Sequence, residues 1–106
     1  MALRLYGSRR DANESELVAA ARKMGAKVWL LALPVDLLVL WRGRFHMAEV
    51  KLPAGPRGGT KDRNLTDDQE TFRKEVVEAG GELLIWRTLD DVVRDLNRLP
   101  QQVDQR

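Results

Sequence analysis

The chain has 106 residues, 43% hydrophobic and 32% charged, with 18 Lys and Arg against 16 Asp and Glu for a formal net charge of +2. This length suits one domain with a single small core, and the composition is that of a globular chain rather than a disordered one. Cysteine is absent and His46 is the one histidine, which excludes disulfides, thiolate metal sites, cysteine nucleophiles and a Cys/His zinc centre within one chain. No segment approaches the roughly 20 apolar residues of a membrane span. Met1-Ala2-Leu3-Arg4 lacks the apolar core of a signal peptide, so a cytoplasmic protein with no membrane partner is expected.

Apolar period and turn residues give the elements in chain order. Leu17, Val18 and Ala21 form the stripe of a helix from Asp11 to Met24, which Gly25 stops. A first strand runs from Lys27 to Leu33, and Pro34 interrupts before a second from Val35 to Trp41. Arg42-Gly43-Arg44 turns the chain into a third strand, Phe45 to Leu52. Residues Pro53 to Asn64, rich in Pro, Gly and basic residues, lack apolar periodicity and read as a long loop, a kind that is usually functional. A second helix spans Asp67 to Ala79, capped by Thr66 and ended by Gly80-Gly81. Glu82 to Arg87 is a fourth strand, and Thr88 caps a last helix to about Leu99. The order α-β-β-β-α-β-α implies an α/β fold with a mixed central sheet flanked by helices. Residues 1–100 form one domain and 101–106 a flexible tail.

Three charged residues stand inside apolar strands. Val35-Asp36-Leu37-Leu38-Val39-Leu40-Trp41 carries Asp36, and Met47-Ala48-Glu49-Val50-Lys51-Leu52 carries Glu49 and Lys51. Buried carboxylates cost several kcal/mol unless charge or hydrogen bonds meet them. A two-residue type II′ turn with Gly43 first would pair Arg42 with Phe45, Leu38 with Glu49 and Asp36 with Lys51. The period of two then puts Asp36, Glu49 and Lys51 on one sheet face, whereas a turn of odd length would separate them. Glu14 heads the stripe of the first helix and leans toward the same acids. Two or three carboxylates suit Mg²⁺, which takes hard oxygen ligands and leaves room for a phosphate. Lys51, two residues after Glu49, is placed to steady negative charge on that phosphate. The chemistry this suggests is metal-assisted hydrolysis of nucleic acid.

With these residues in place, the chain resembles the PD-(D/E)XK nucleases, and more closely the small stand-alone VRR-NUC proteins of phages and bacteria. The matching elements are Arg10-Asp11-Ala12-Asn13-Glu14, Pro34-Val35-Asp36-Leu37-Leu38-Val39, Arg42-Gly43-Arg44, Glu49-Val50-Lys51 and Leu65-Thr66-Asp67-Asp68-Gln69-Glu70-Thr71-Phe72, in order from about Arg9 to Asp95. Val35 separates Pro34 from Asp36, where the superfamily motif has Pro directly before Asp. The resemblance implies Glu14, Asp36 and Glu49 as metal-binding acids, Lys51 as the catalytic lysine, and Gln69 as an active-site polar residue. It also implies a Mg²⁺- or Mn²⁺-dependent endonuclease acting on DNA, with branched DNA such as Holliday junctions as substrate and a homodimer as its assembly. Two cuts in opposed strands of a four-way junction need two sites, which two-fold symmetry supplies.

Other readings stand beside these. Asp11 with Glu14, and Thr66 with Gln69, have capping-box spacing. Asp36 with Lys51 could form a cross-strand salt bridge. His46 reads as a surface or strand-end residue rather than a ligand, and Trp29, Trp41 and Trp86 as core or as a dimer interface. Arg9 and Arg10 before the first helix, and Arg57, Lys61 and Arg63 in the loop, are candidate phosphate contacts or simply a solvated surface. The competing function is a catalytically silent nuclease-fold module that binds DNA or protein. A third, cutting linear duplex at a specific sequence, is disfavoured by the lack of room for a separate reading element.

Overall fold

The apolar stripe of Leu17, Val18 and Ala21 folds Glu14–Lys23 into helix α1, and the structure, a computed structural model, describes residues 10–53 and 64–101. Strands β1 (Lys27–Leu30), β2 (Leu37–Trp41) and β3 (Arg44–Val50) follow, then α2 (Asp67–Glu78), β4 (Leu83–Trp86) and α3 (Leu89–Arg98). The expected element order is the observed one. The sheet order is β1-β2-β3-β4, antiparallel across the first three strands and parallel between β3 and β4, so α2 lies in a crossover connection. Of the tail expected at 101–106, residues 102–106 lie outside the described residues, as does most of the expected long loop, 54–63. No helix among those described is long and apolar enough to cross a membrane.

One sheet face makes the core. Val28, Leu37, Val39, Ala48, Val50, Leu84 and Trp86 are buried there with Leu17, Val18 and Ala21 of α1 and Val92, Leu96 and Leu99 from the C-terminal end. Of the three tryptophans, Trp86 is wholly buried and Trp41 packs against the core, donating from Nε1 to the Leu96 carbonyl at 2.7 Å. Trp29 departs from the core reading: it is 41% exposed, beside Phe45. Its position alternates with core-facing Val28, so the pleat turns it to the opposite face. Asp95 is buried yet satisfied: it accepts from Trp86 Nε1 at 2.9 Å and pairs with Arg94 and Arg98.

The hairpin register differs from the expected one. Trp41 faces Arg44 and Leu37 faces Ala48, so the two-residue turn is Arg42-Gly43, with φ of 52° and 82°. Positive φ at both positions is the type I′ signature rather than type II′. Arginine is a strained choice at the first position, and its side chain has compensating contacts. Arg42 lies over the Trp41 ring at 5.0 Å and donates to the Leu99 carbonyl. Moving the turn one residue earlier changes each pairing by two, so parity survives. Extending the ladder one step sets Asp36 opposite Glu49, with the two on the same face as expected.

Helix α1 begins at Glu14 with Asn13, rather than Asp11, as its N-cap. Asn13 makes no cap hydrogen bond; its amide donates to the Lys51 carbonyl at 3.1 Å and the Arg87 carbonyl at 2.9 Å. One side chain thus ties the start of α1 to the ends of β3 and β4. Asn13→Ala should cost about 1–3 kcal/mol by leaving two carbonyls short of donors, read as a lower denaturation midpoint with an unchanged slope.

Candidate active site

The acids gather at one end of the sheet, where β2 begins, β3 ends and the N-termini of α1 and α2 approach. Asp36 lies just before β2, and Val35, the residue separating it from Pro34, is buried at 2% exposure. The spacer therefore enters the packed interior while the aspartate stays at the strand end. There it interlocks with the opposing strand: the Asp36 backbone N–H donates to Glu49 Oε1 at 3.2 Å, and the Val50 N–H donates to Asp36 Oδ2 at 2.9 Å. The Asp36 carbonyl accepts from the Leu31 N–H at 2.6 Å. These bonds fix both carboxylates relative to the backbone rather than leaving them on free rotors.

Glu49 is 3% exposed and meets Lys51, whose Nζ lies 3.5 Å from Oε2. The lysine pairs along its own strand, not across the hairpin with Asp36. Gln69 also donates from Nε2 to Glu49 Oε2. The same glutamine completes the α2 capping box: its Oε1 accepts from the Thr66 N–H at 2.9 Å, and its N–H donates to Thr66 Oγ1 at 3.2 Å. Gln69 thus caps α2 and contacts Glu49 at the same time. A glutamate at this position could cap the helix equally well, but it would set a second carboxylate against Glu49. The amide presents a donor instead.

Glu14 is 4% exposed and shares a partner with Asp36. Between them stands Arg10, with Nε 2.9 Å from Glu14 Oε2 and Nη1 3.5 Å from Asp36 Oδ1. Arg10 Nη1 also donates to the Leu31 carbonyl at 2.9 Å. Its contacts are thus to the site's own acids. Among the described residues, no three acidic or imidazole side chains form a group that could hold a metal ion in this arrangement. Asp36 is nonetheless the electrostatic centre. Burial raises the Glu14 carboxyl to about 7, opposed by Arg10 and reinforced by Asp36. Burial, and then the Asp36 charge, also raise Glu49, against the pull of Lys51 and the Asp36 N–H.

The donor chemistry fits a hard dication. Glu14 Oε1 is buried without a hydrogen bond among the described residues, and burial, with the Asp36 charge beside it, disfavours ionisation of Glu14 and Glu49 despite Arg10 and Lys51. A cleft of about 360 Å³ opens beside Arg10, Glu14 and Leu30. A cavity of about 790 Å³ lies elsewhere, lined by Arg44, His46 and Glu82 and by none of the acids above. His46 is there, half-buried, and burial holds its pKa below the usual value. Arg9, Arg57, Lys61 and Arg63 lie outside the described residues. Sequence alone assigns no role to Asn13 and sets Arg10 only among the phosphate contacts. The Arg10–Glu14 pair has ordinary i,i+4 helical spacing, but the carbonyls that Arg10 and Asn13 reach are 21 to 74 residues away, beyond any local pattern.

Compared with family models, curated proteins and solved structures, the chain matches none. Its functional reading therefore rests on the site.

Proposed function

We propose that this chain is a metal-dependent endodeoxyribonuclease of the PD-(D/E)XK superfamily, VRR-NUC-like, acting on branched DNA as a homodimer. The observation that carries the reading is the pairing of Asp36 with Glu49 across β2 and β3, with Lys51 and Gln69 both on the glutamate. A buried Glu49 fixed beside a buried Lys51 and a half-buried Asp36 is costly as structure alone, and phosphodiester hydrolysis uses each of them. Glu14, Asp36 and Glu49 would hold Mg²⁺ or Mn²⁺. That ion supplies a Lewis acid, lowering the pKa of a water and neutralising phosphoryl charge.

The protein's own groups do the rest. Lys51 Nζ lies beside Glu49, where its positive charge would offset negative charge developing on the phosphate. Gln69 and the Asp36 N–H orient the Glu49 carboxylate, and Asn13 holds the Lys51 backbone in place. Labelled linear, flapped and four-way DNAs incubated with Mg²⁺ or Mn²⁺ test the reading; intact DNA in every case would reject it. Sedimentation across micromolar concentrations, with and without DNA, tests the dimer, and a strict monomer leaves single-strand nicking as the better account. One observation favours the silent binding module, namely Arg10 between Glu14 and Asp36. DNA binding without heat of Mg²⁺ or Mn²⁺ binding would decide for it.

The basic loop completes the proposal through Arg57, Lys61 and Arg63, with Arg9 and Arg10 at the other chain end as further candidate contacts. Joint alanine replacement of the three loop residues should weaken binding to all DNA sequences. It should also flatten the slope of log affinity against log salt by about 2–3, near one for each phosphate no longer neutralised. An affinity and slope equal to the parent would make the loop a linker.

A further inference from the structure

We propose that Arg10 is the resident cation of this site, holding Glu14 and Asp36 together until a divalent cation displaces it. The inference rests on the metal-dependent reading above and concerns a residue which that reading used only as a DNA contact. Arg10 lies four residues before Glu14, at the approach to α1, and its guanidinium reaches Glu14, Asp36 and the Leu31 carbonyl. These are two of the three carboxylates that a dication would need. A guanidinium and a divalent ion cannot share those oxygens at close range, because like charges repel most strongly where water is scarce.

The fit of Arg10 is also incomplete. Its Nε and Nη2 are buried without an aligned hydrogen bond among the described residues, and so is Glu14 Oε1, the oxygen beside its ion pair. A guanidinium serving as a permanent structural lock would engage its fork bidentately with a carboxylate. Here the planar group balances charge while leaving donors and an acceptor unused. Its side chain keeps 22% exposure and adjoins the 360 Å³ cleft, so an exit exists. Competition for the same carboxylates makes the linkage reciprocal: the ion weakens the hold of Arg10 by the same factor by which Arg10 weakens that of the ion.

The test is calorimetric titration of the DNA-free protein with Mn²⁺, on wild type, Arg10→Gln and Arg10→Lys. Displacement predicts that Arg10→Gln binds Mn²⁺ on the order of tenfold more tightly. Arg10→Lys should move most of the way with it, because a point charge cannot span two acids and a carbonyl as the fork does. If wild type binds Mn²⁺ and Arg10→Gln binds it no better, the inference fails and the metal reading stands. If Arg10→Gln tightens while Arg10→Lys matches wild type, simple repulsion explains the result and displacement is overturned. If no variant binds, the metal reading fails and takes this inference with it. Should Arg10→Gln not fold, Arg10→Lys alone decides: affinity equal to wild type overturns displacement.

Discussion

Replacing Asp36 or Glu49 should reduce DNA cleavage by on the order of a thousandfold or more, equivalent to about 4 kcal/mol of transition-state stabilisation. The substitutions that test this most cleanly are isosteric. Asp36→Asn keeps an acceptor for the Val50 N–H, and Glu49→Gln keeps one for the Asp36 N–H. Each removes a carboxylate charge and leaves the interlock between β2 and β3 in place. The alanine variants should be equally inactive, but Glu49→Ala also strands Lys51 and the Gln69 amide. Asp36→Ala removes the charge that raises both Glu14 and Glu49, so its loss of activity should come with little loss of stability in the absence of metal. Lys51→Ala should bind metal and DNA and cut slowly. Cleavage by Asp36→Asn at more than a tenth of the parental rate in Mg²⁺ would remove the aspartate from the mechanism.

Much of this site is legible in the sequence because parity is robust. The turn is type I′ where glycine placement suggests II′, yet a two-residue shift in pairing leaves every side chain on its face, so Asp36, Glu49 and Lys51 stay together. The Thr66-to-Gln69 spacing announces a capping box, and the structure adds that the same amide reaches Glu49. Partners from other elements cannot be read this way. The i,i+4 spacing of Arg10 and Glu14 permits their ion pair, but nothing in Arg10-Asp11-Ala12-Asn13-Glu14 says that Arg10 also reaches Asp36 and Leu31 or that Asn13 leaves its capping role for the ends of β3 and β4. Both depend on tertiary placement of carbonyls that carry no sequence signature. Trp29 escapes the core reading for a related reason: an aromatic on a strand is equally compatible with either face, and only the burial of Val28 beside it decides.

The second large effect is on stability against pH. Glu14 has its folded pKa raised to about 7, and burial with the Asp36 charge raises Glu49 as well. An acid whose pKa is higher in the folded state binds more protons folded than unfolded between its unfolded value and its folded one. Stability therefore falls as pH rises through that window and levels off above it. From about pH 4.5 to about 7, the metal-free protein should lose on the order of 2–3 kcal/mol from Glu14 alone, with Glu49 adding to the slope. Asp91 acts in the opposite sense. Despite some burial, the Arg87 and Thr88 N–H groups and Arg94 hold its pKa below the usual carboxylate value. Its contribution is complete above the unfolded value and is lost as pH falls through the folded one. His46, whose pKa burial lowers, also acts against the decline near its unfolded value, but the two glutamates should dominate the fall from about pH 4.5 to 7. Denaturation midpoints measured from pH 4 to 8 in chelator check this, and Glu14→Gln and Glu49→Gln should each flatten the decline. Saturating Mg²⁺ should oppose the decline above pH 6, because the ion prefers ionised carboxylates. A metal-free curve that rises from pH 4.5 to 7 would mean that these acids are better compensated than the geometry shows, and would weaken the case that they await a cation.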